Sequence, residues 1–202
     1  DFDEAPTALD LFAGTGSITL ELLSRGCDRV VAVEKDPLHY KFICSFIDKL
    51  QDLSAVPVRG DVFQYLARCR EQFDFIFADP PYFLSNGGIS VQSGKQVCVD
   101  KGNWDKGGTP EHIYLFNKQW LSLCRPKLKD NGTIWISGTH HNIFVVQRCL
   151  QELGYKILNV ITWQKTDPPP NLSCRYFNFS TELVIWARKH KNKPQHNCRY
   201  CI

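Results

Sequence analysis

At 202 residues, 43% of them hydrophobic and 22% charged, the chain is long enough to fill one core and too short for two comfortable domains. A net charge of +3 and a pI near 8.4 admit an acidic partner without requiring one, since a dedicated nucleic-acid surface is usually more basic. No apolar run approaches the ~18 residues of a membrane span, no signal peptide precedes the first strand, and nine cysteines, mostly in apolar or helical patterns, read as reduced thiols of a cytoplasmic protein.

Residues 7–12 read as a buried strand, followed by a glycine turn and a helix over 17–25. A second strand is expected over 30–34, then a helix with Tyr40, Ile43, Phe46, Ile47 and Leu50 on one face. A short strand at 56–58, a helix over 62–70 and a strand over 73–78 complete the first half. Strands alternating with helices in this way predict parallel strands joined by right-handed crossovers. From 83 to about 110 the periodicity stops, and a long structureless connection of functional importance is expected. A helix over 111–124, a strand over 133–137 and a helix over 142–153 closed by Gly154 follow. Two longer strands, 155–165 and 176–188, can pair as a hairpin at one sheet edge. The expected fold is α/β, a doubly wound, seven-stranded, mostly parallel sheet with one antiparallel edge strand, spanning 1–189 as one domain, with 190–202 a basic tail. Because the chain starts at Asp1 and holds no methionine, it is expected to be a fragment, a processed product or an engineered one.

The strand over 73–78 runs straight into Asp79-Pro80-Pro81-Tyr82. Two prolines fix φ and remove two donors, so the carbonyls there sit in a stiff turn outside any ladder. Asp79 and the Pro80 carbonyl can each accept an N–H of a planar amino group, and Tyr82 can lie against the ring that bears it. An exocyclic amine of a nucleobase is a poor nucleophile because its lone pair is delocalised into the ring, and two acceptors with a stacking ring favour the tetrahedral nitrogen. The plainer reading is a strand end followed by a Pro-Pro turn.

At the first strand end, Asp10-Leu11-Phe12-Ala13-Gly14-Thr15-Gly16 places small residues where a ligand can approach the backbone. Glu34, ending the second strand, can hold both hydroxyls of a ribose, and Asp61, after the third, can accept from an adenine amino group. A dinucleotide fingerprint expects a third glycine where Thr19 stands, so a nicotinamide cofactor is disfavoured. With Gly14, Gly16, Glu34 and Asp61 at these places, the chain resembles class I S-adenosylmethionine-dependent methyltransferases. That resemblance implies a cofactor half over 7–78, with Asp10, Phe12, Gly14, Thr15, Gly16, Glu34 and Asp61 as candidate contacts for S-adenosylmethionine.

Asp-Pro-Pro-Tyr marks amino-methyltransferases of nucleobases, which gives catalytic roles to Asp79, Pro80, Pro81 and Tyr82. Residues 79–189 resemble adenine-N6 DNA methyltransferases of restriction–modification systems, through Asp-Pro-Pro-Tyr-Phe-Leu-Ser-Asn-Gly-Gly, Lys-Gly-Asn-Trp-Asp-Lys, Asn-Gly-Thr-Ile-Trp-Ile-Ser-Gly-Thr-His-His-Asn-Ile and Pro-Asn-Leu-Ser-Cys-Arg. The resemblance implies DNA as substrate, a flipped adenine over Tyr82 and direct in-line methyl transfer. Residues 7–82 look more like ribosomal-RNA guanine-N2 methyltransferases, so guanine N2 of ribosomal RNA, cytosine N4 of DNA, and a non-catalytic cofactor-binding subunit stand as alternatives.

Asn86 is a further substrate-side candidate. Trp104 and Asp105 can line the base pocket, or Trp104 can cap its own loop. Trp163 can supply a second stacking wall, though core is the favoured place for a strand tryptophan. Lys165, Arg175 and Lys189 can meet phosphates or simply be solvated. His140 and His141 lack metal-ligand spacing and fit a helix start, and Cys198-x-x-Cys201 lacks a second pair, so no metal is expected. In the DNA enzymes of this group the segments are permuted and a target-recognition region follows the last strand. Here the glycine loop comes first and only a basic tail stands in that place, leaving recognition to the connection after Tyr82, a homodimer, a separate specificity partner or a further segment.

Overall fold

The computed structural model describes residues 5–50, 54–83, 89–92, 95–98, 109–168, 170, 175 and 177–190. Strands β1 (Thr7–Leu11), β2 (Arg29–Glu34), β3 (Ala55–Arg59) and β4 (Phe73–Ala78) alternate with helices α1 (Ser17–Ser24), α2 (Pro37–Leu50) and α3 (Val62–Arg68). β1 and β2 are buried along nearly their whole length, as parallel strands covered on both faces must be. After a short hairpin, β5 (Ile89–Gln92) and β6 (Lys95–Cys98), come α4 (Pro110–Cys124), β7 (Leu128–Gly138), α5 (Ile143–Glu152), β8 (Lys156–Gln164) and β9 (Thr181–Arg188).

Seven strands form one sheet in the order β3-β2-β1-β4-β7-β9-β8. β1 pairs in parallel with both β2 and β4, so the winding reverses between β1 and β4 and opens a crevice at their carboxyl ends. Leu9, Leu11, Ile76, Ile134 and Ile136 of the sheet pack with Leu66, Trp120, Leu121, Val146 and Leu150 of the helices. The antiparallel edge is present, and the reversed strand itself is β9, which lies one place in from the rim between β7 and β8. Trp135 and Trp186, partners in the β7–β9 register, stack at 5.0 Å and 23° and help pin it.

The structure departs from expectation in several places. The connection after Tyr82 contains the β5–β6 hairpin, whose Ile-Ser-Val-Gln and Lys-Gln-Val-Cys alternation is hidden in a polar composition. β7 begins at Leu128 rather than at residue 133, across a register shift between Phe73 and Phe75. Gly132 permits that irregularity, since a Cβ there would stand 3.0 Å from the Phe73 carbonyl oxygen. β9 begins at Thr181 rather than at 176, and Phe177 before it is 96% exposed. On α2 only Ile43 is fully buried, while Leu50 is exposed. α3 closes at Arg68, two residues early.

Candidate active site

The crevice is built by backbone ties between neighbouring strand ends. The Ala13 N–H donates to the Val33 carbonyl (3.1 Å), and the Asp79 N–H donates to that of Leu11 (3.2 Å). The glycine loop and the Asp79–Tyr82 turn are thereby neighbours. Phe12 and Phe83, the two non-glycine residues with left-handed backbone among those described, stand at the ends of these two segments. Their rings reach the same side chain of α4, Phe116, at 6.4 and 5.4 Å. Such conformations cost of order 1–3 kcal/mol each, and anchoring both rings on one helix offsets them. Phe12 therefore offers the loop its backbone and gives its ring to the core, where Trp120 meets it edge-on at 5.8 Å.

On the cofactor side, Glu34 is 8% exposed and its two oxygens accept from Gly14 N–H and Asp36 N–H, each at 2.7 Å. Gly14 has φ 55°, and nothing lies within 4 Å of where a Cβ would stand, so the loop leaves open space over its backbone. Gly16 also has positive φ, but a Cβ there would meet the Phe46 ring at 2.9 Å, so this glycine is required by packing. Thr15 is exposed, its hydroxyl 3.3 Å from that of Ser17. Asp61 caps α3 by accepting from Phe63 N–H (3.0 Å) and pairs with Lys35 at 3.0 Å. Asp10 is buried beneath the loop, where it accepts from the Thr19 hydroxyl at 2.6 Å. Burial raises its pKa to about 7, with the charges of Asp79 and Glu34 acting the same way.

On the substrate side, Pro80 is buried while Asp79 is exposed. The Tyr82 hydroxyl donates to Asp79 Oδ1 at 2.5 Å and lies 3.3 Å from Ser137 Oγ, and the Ser137 hydroxyl donates to the same Oδ1. Burial, with the Asp79 carboxylate close by, pushes the Tyr82 phenol above its ordinary pKa and keeps it a donor. The Pro81 carbonyl accepts from Asn142 Nδ2 at 3.2 Å. Ser137 and Asn142 are not among the sequence candidates. A hydroxyl at the carboxyl end of a parallel strand beside the switch point is the signal that could have found Ser137.

The outer candidates are more dispersed. Trp163 is 60% exposed on the rim strand β8, which overturns its core placement. Lys165 is paired with Glu182 of β9 at 2.5 Å, and Arg175 is exposed. Lys189 turns inward, donating to the Leu128 carbonyl at 2.8 Å, rather than outward to a phosphate. His140 stacks on Phe179 at 4.2 Å and 16°, and Asn142 and Ile143 at the start of α5 bond back to the Thr139 carbonyl. Asn86, Trp104 and Asp105 lie outside the described residues. No helix among the described residues is long and apolar enough to cross a membrane.

Comparison with known proteins gives two family matches, one described as DNA methylase over residues 73–200 and one as conserved hypothetical protein 95 over residues 3–94. The type II methyltransferase M2.DpnII of Streptococcus pneumoniae is 55% identical over 144 residues, covering 71% of this chain and 54% of that protein. M2.LlaDCHI of Lactococcus lactis subsp. cremoris is 54% identical, with 73% and 55% covered, and M2.MboI of Moraxella bovis 52%, with 68% and 51% covered. The chain thus spans about half the length of these curated relatives. In fold it is similar to TrmN from Thermus thermophilus (TM-score 0.63, 16% identity, 92% of this chain and 44% of that one). A methyltransferase from Pyrococcus furiosus is equally similar (TM-score 0.64, 15% identity, 94% and 78% covered).

The pinned Glu34 carboxylate and the open space over Gly14 suit a nucleoside, its ribose hydroxyls donating to Glu34 and its body lying along the loop backbone. With the two halves of the crevice and these relatives together, the chain belongs to the DNA methylase family, whose chemistry and fold imply S-adenosylmethionine as the cofactor.

Proposed function

We propose that the protein is a site-specific methyltransferase acting on the N6 amine of adenine in DNA, in a restriction–modification setting. The observation that carries the reading is the Asp79–Tyr82 turn, with its carboxylate oriented by two hydroxyls, adjoining the Gly14–Glu34 pocket. In this reading residues 7–78 and 79–189 act as one catalytic domain. When bound, S-adenosylmethionine supplies an electrophilic methyl group, held by Gly14, Gly16 and Glu34, with Asp61 reaching the adenine ring. Asp10, Phe12 and Thr15 shape the loop. Asp79 and the Pro80 carbonyl accept the two amine hydrogens, drawing the nitrogen lone pair out of the ring, and Asp79 receives the hydrogen the nitrogen sheds. Tyr82 stacks on the flipped base, and Pro81 keeps the turn stiff. Asn86, Trp104, Asp105, Trp163 and Arg175 are assigned to substrate binding, and Lys165 joins them by exchanging Glu182 for phosphate.

Type II methyltransferases are named for all three curated relatives, which supports DNA over ribosomal RNA. Transfer of labelled methyl groups to DNA and to ribosomal RNA, followed by digestion to nucleosides, tests the reading. N6-methyladenine in DNA is expected, and label found only in N4-methylcytosine or N2-methylguanine overturns it. Asp79→Ala is expected to abolish transfer while S-adenosylmethionine affinity stays nearly unchanged, and undiminished transfer rejects the amine-gripping role.

A further inference from the structure

Behind the Asp79–Tyr82 turn runs a line of buried polar side chains that the chemistry above does not use. Trp120 Nε1 donates to Asn117 Oδ1 at 3.1 Å, Asn117 Nδ2 donates to Asn142 Oδ1 at 2.6 Å, and Asn142 Nδ2 donates to the Pro81 carbonyl at 3.2 Å. Trp120, Asn117 and Asn142 are all 0% exposed. A buried amide costs several kcal/mol if its bonds are unmade, so two asparagines in this core need an explanation beyond filling space.

The direction of the line is forced from its inner end. An indole N–H is donor only, so the group facing Trp120 must be the Asn117 carbonyl. The Asn117 amide nitrogen then donates, both to the Ile113 carbonyl of its own helix (2.9 Å) and to Asn142. Asn142 must present its carbonyl inward and its NH2 outward, and what it meets is a carbonyl with no place in any ladder, between Pro81 and Tyr82. Both amide orientations are thus set by chemistry rather than by choice of fit.

We infer that Asn142 is a positioning residue: the Trp120–Asn117–Asn142 relay fixes the Pro81 carbonyl and so holds Asp79, Pro80 and Tyr82 in the pose that receives the amine. The inference rests on the amine-holding role proposed for that turn, though not on which base carries the amine. α4 and the N-cap of α5 supply the relay and the turn follows β4, so the catalytic segment is braced from the helical layer as well as by the sheet.

Two variants of the full protein test this, with tritiated S-adenosylmethionine and unmethylated bacterial DNA. Asn142→Leu removes the outward donor, and kcat is expected to fall about 10- to 100-fold while KM for S-adenosylmethionine moves less than about twofold. Asn142→Asp keeps the volume and restores the donor only when protonated, its O–H then replacing the NH2 towards Pro81 and its C=O still accepting from Asn117. Burial raises such a carboxyl, so the ratio of variant to parental kcat is expected to be highest near pH 6 and to decline to the leucine level by about pH 9. A ratio that does not change with pH, or a leucine variant with parental kcat, overturns the inference. A crystal structure of Asn142→Leu gives a readout independent of turnover: displacement of the Pro81 carbonyl with β4 unmoved is expected, and an unmoved carbonyl refutes it. Counting label in total nucleic acid tests the relay whichever base is modified, and the nucleoside digest tests the adenine reading by itself.

Discussion

Asp10 gives a prediction whose size can be worked from the structure. Its carboxyl is buried beneath the glycine loop and titrates near pH 7 when folded, against 3.8 for the unperturbed group. Between those limits the folded protein binds a proton on Asp10 that the unfolded chain has released, so unfolding free energy falls as pH rises. At about 1.4 kcal/mol for each pH unit, the decline from this group is roughly 4 kcal/mol between pH 4 and pH 7, level above that. Asp10→Asn keeps an oxygen to accept from the Thr19 hydroxyl and removes the titration. Urea denaturation of parent and variant from pH 4.5 to 8.5 is the assay, because the difference between them cancels the titrating groups that do not interact with Asp10. The variant is expected to gain on the parent steadily with rising pH, reaching an advantage of about 2–4 kcal/mol at pH 8. A difference that is the same at pH 5 and pH 8 refutes the reasoning.

Three further substitutions test the remaining parts of the crevice. Ser137→Ala removes one of the two hydroxyls on Asp79 Oδ1; charge-assisted bonds of about 1.5–3 kcal/mol predict a fall in kcat of roughly tenfold or more, and parental turnover removes Ser137 from the site. Glu34→Ala frees the Gly14 and Asp36 N–H groups and removes the ribose acceptor; calorimetric affinity for S-adenosylmethionine is expected to weaken by about tenfold or more, and unchanged affinity rejects the pocket assignment. Gly16→Ala forces a Cβ to 2.9 Å from the Phe46 ring at φ 79°; a stability loss of about 1–3 kcal/mol is expected in chemical denaturation, and an unchanged midpoint contradicts that geometry.

β1, β2 and β4 were legible in the sequence because parallel strands with both faces covered leave continuous apolar runs, and the candidate site residues stand at their ends. The same rule misleads at the far side of the sheet. Phe177 is an aromatic in a strand-like context that the structure exposes, and β9 forms only from Thr181. Trp163 sits on a rim strand whose residues face solvent on both sides, a position that apolar composition does not reveal. Ser137, Asn117 and Asn142 escaped for another reason: Ser137 and Asn117 lie in ordinary strand and helix stretches and Asn142 at an ordinary helix start, and what marks them is the partner that packing brings 25 to 61 residues away. Asp10 and Asp61 were named as candidates in the sequence, yet their bonds to Thr19, Phe63 and Lys35 could not be read from spacing.

The place of β9, which follows β8 in sequence but lies inside the rim, bears on how the chain is assembled as it is synthesised. β8 is made first and, among the described strands, pairs with β9 alone, so until residues 181–188 emerge none of these strands is in place for it to join and β7 presents an open edge. Arrival of β9 closes both defects at once. Its end is then locked, with the Lys189 ammonium on the Leu128 carbonyl and the Arg125 guanidinium on that of Lys189. A nascent chain stopped before Thr181 would therefore carry two sticky strands instead of a slightly smaller sheet, and that window for misassociation closes only once Thr181–Arg188 has paired.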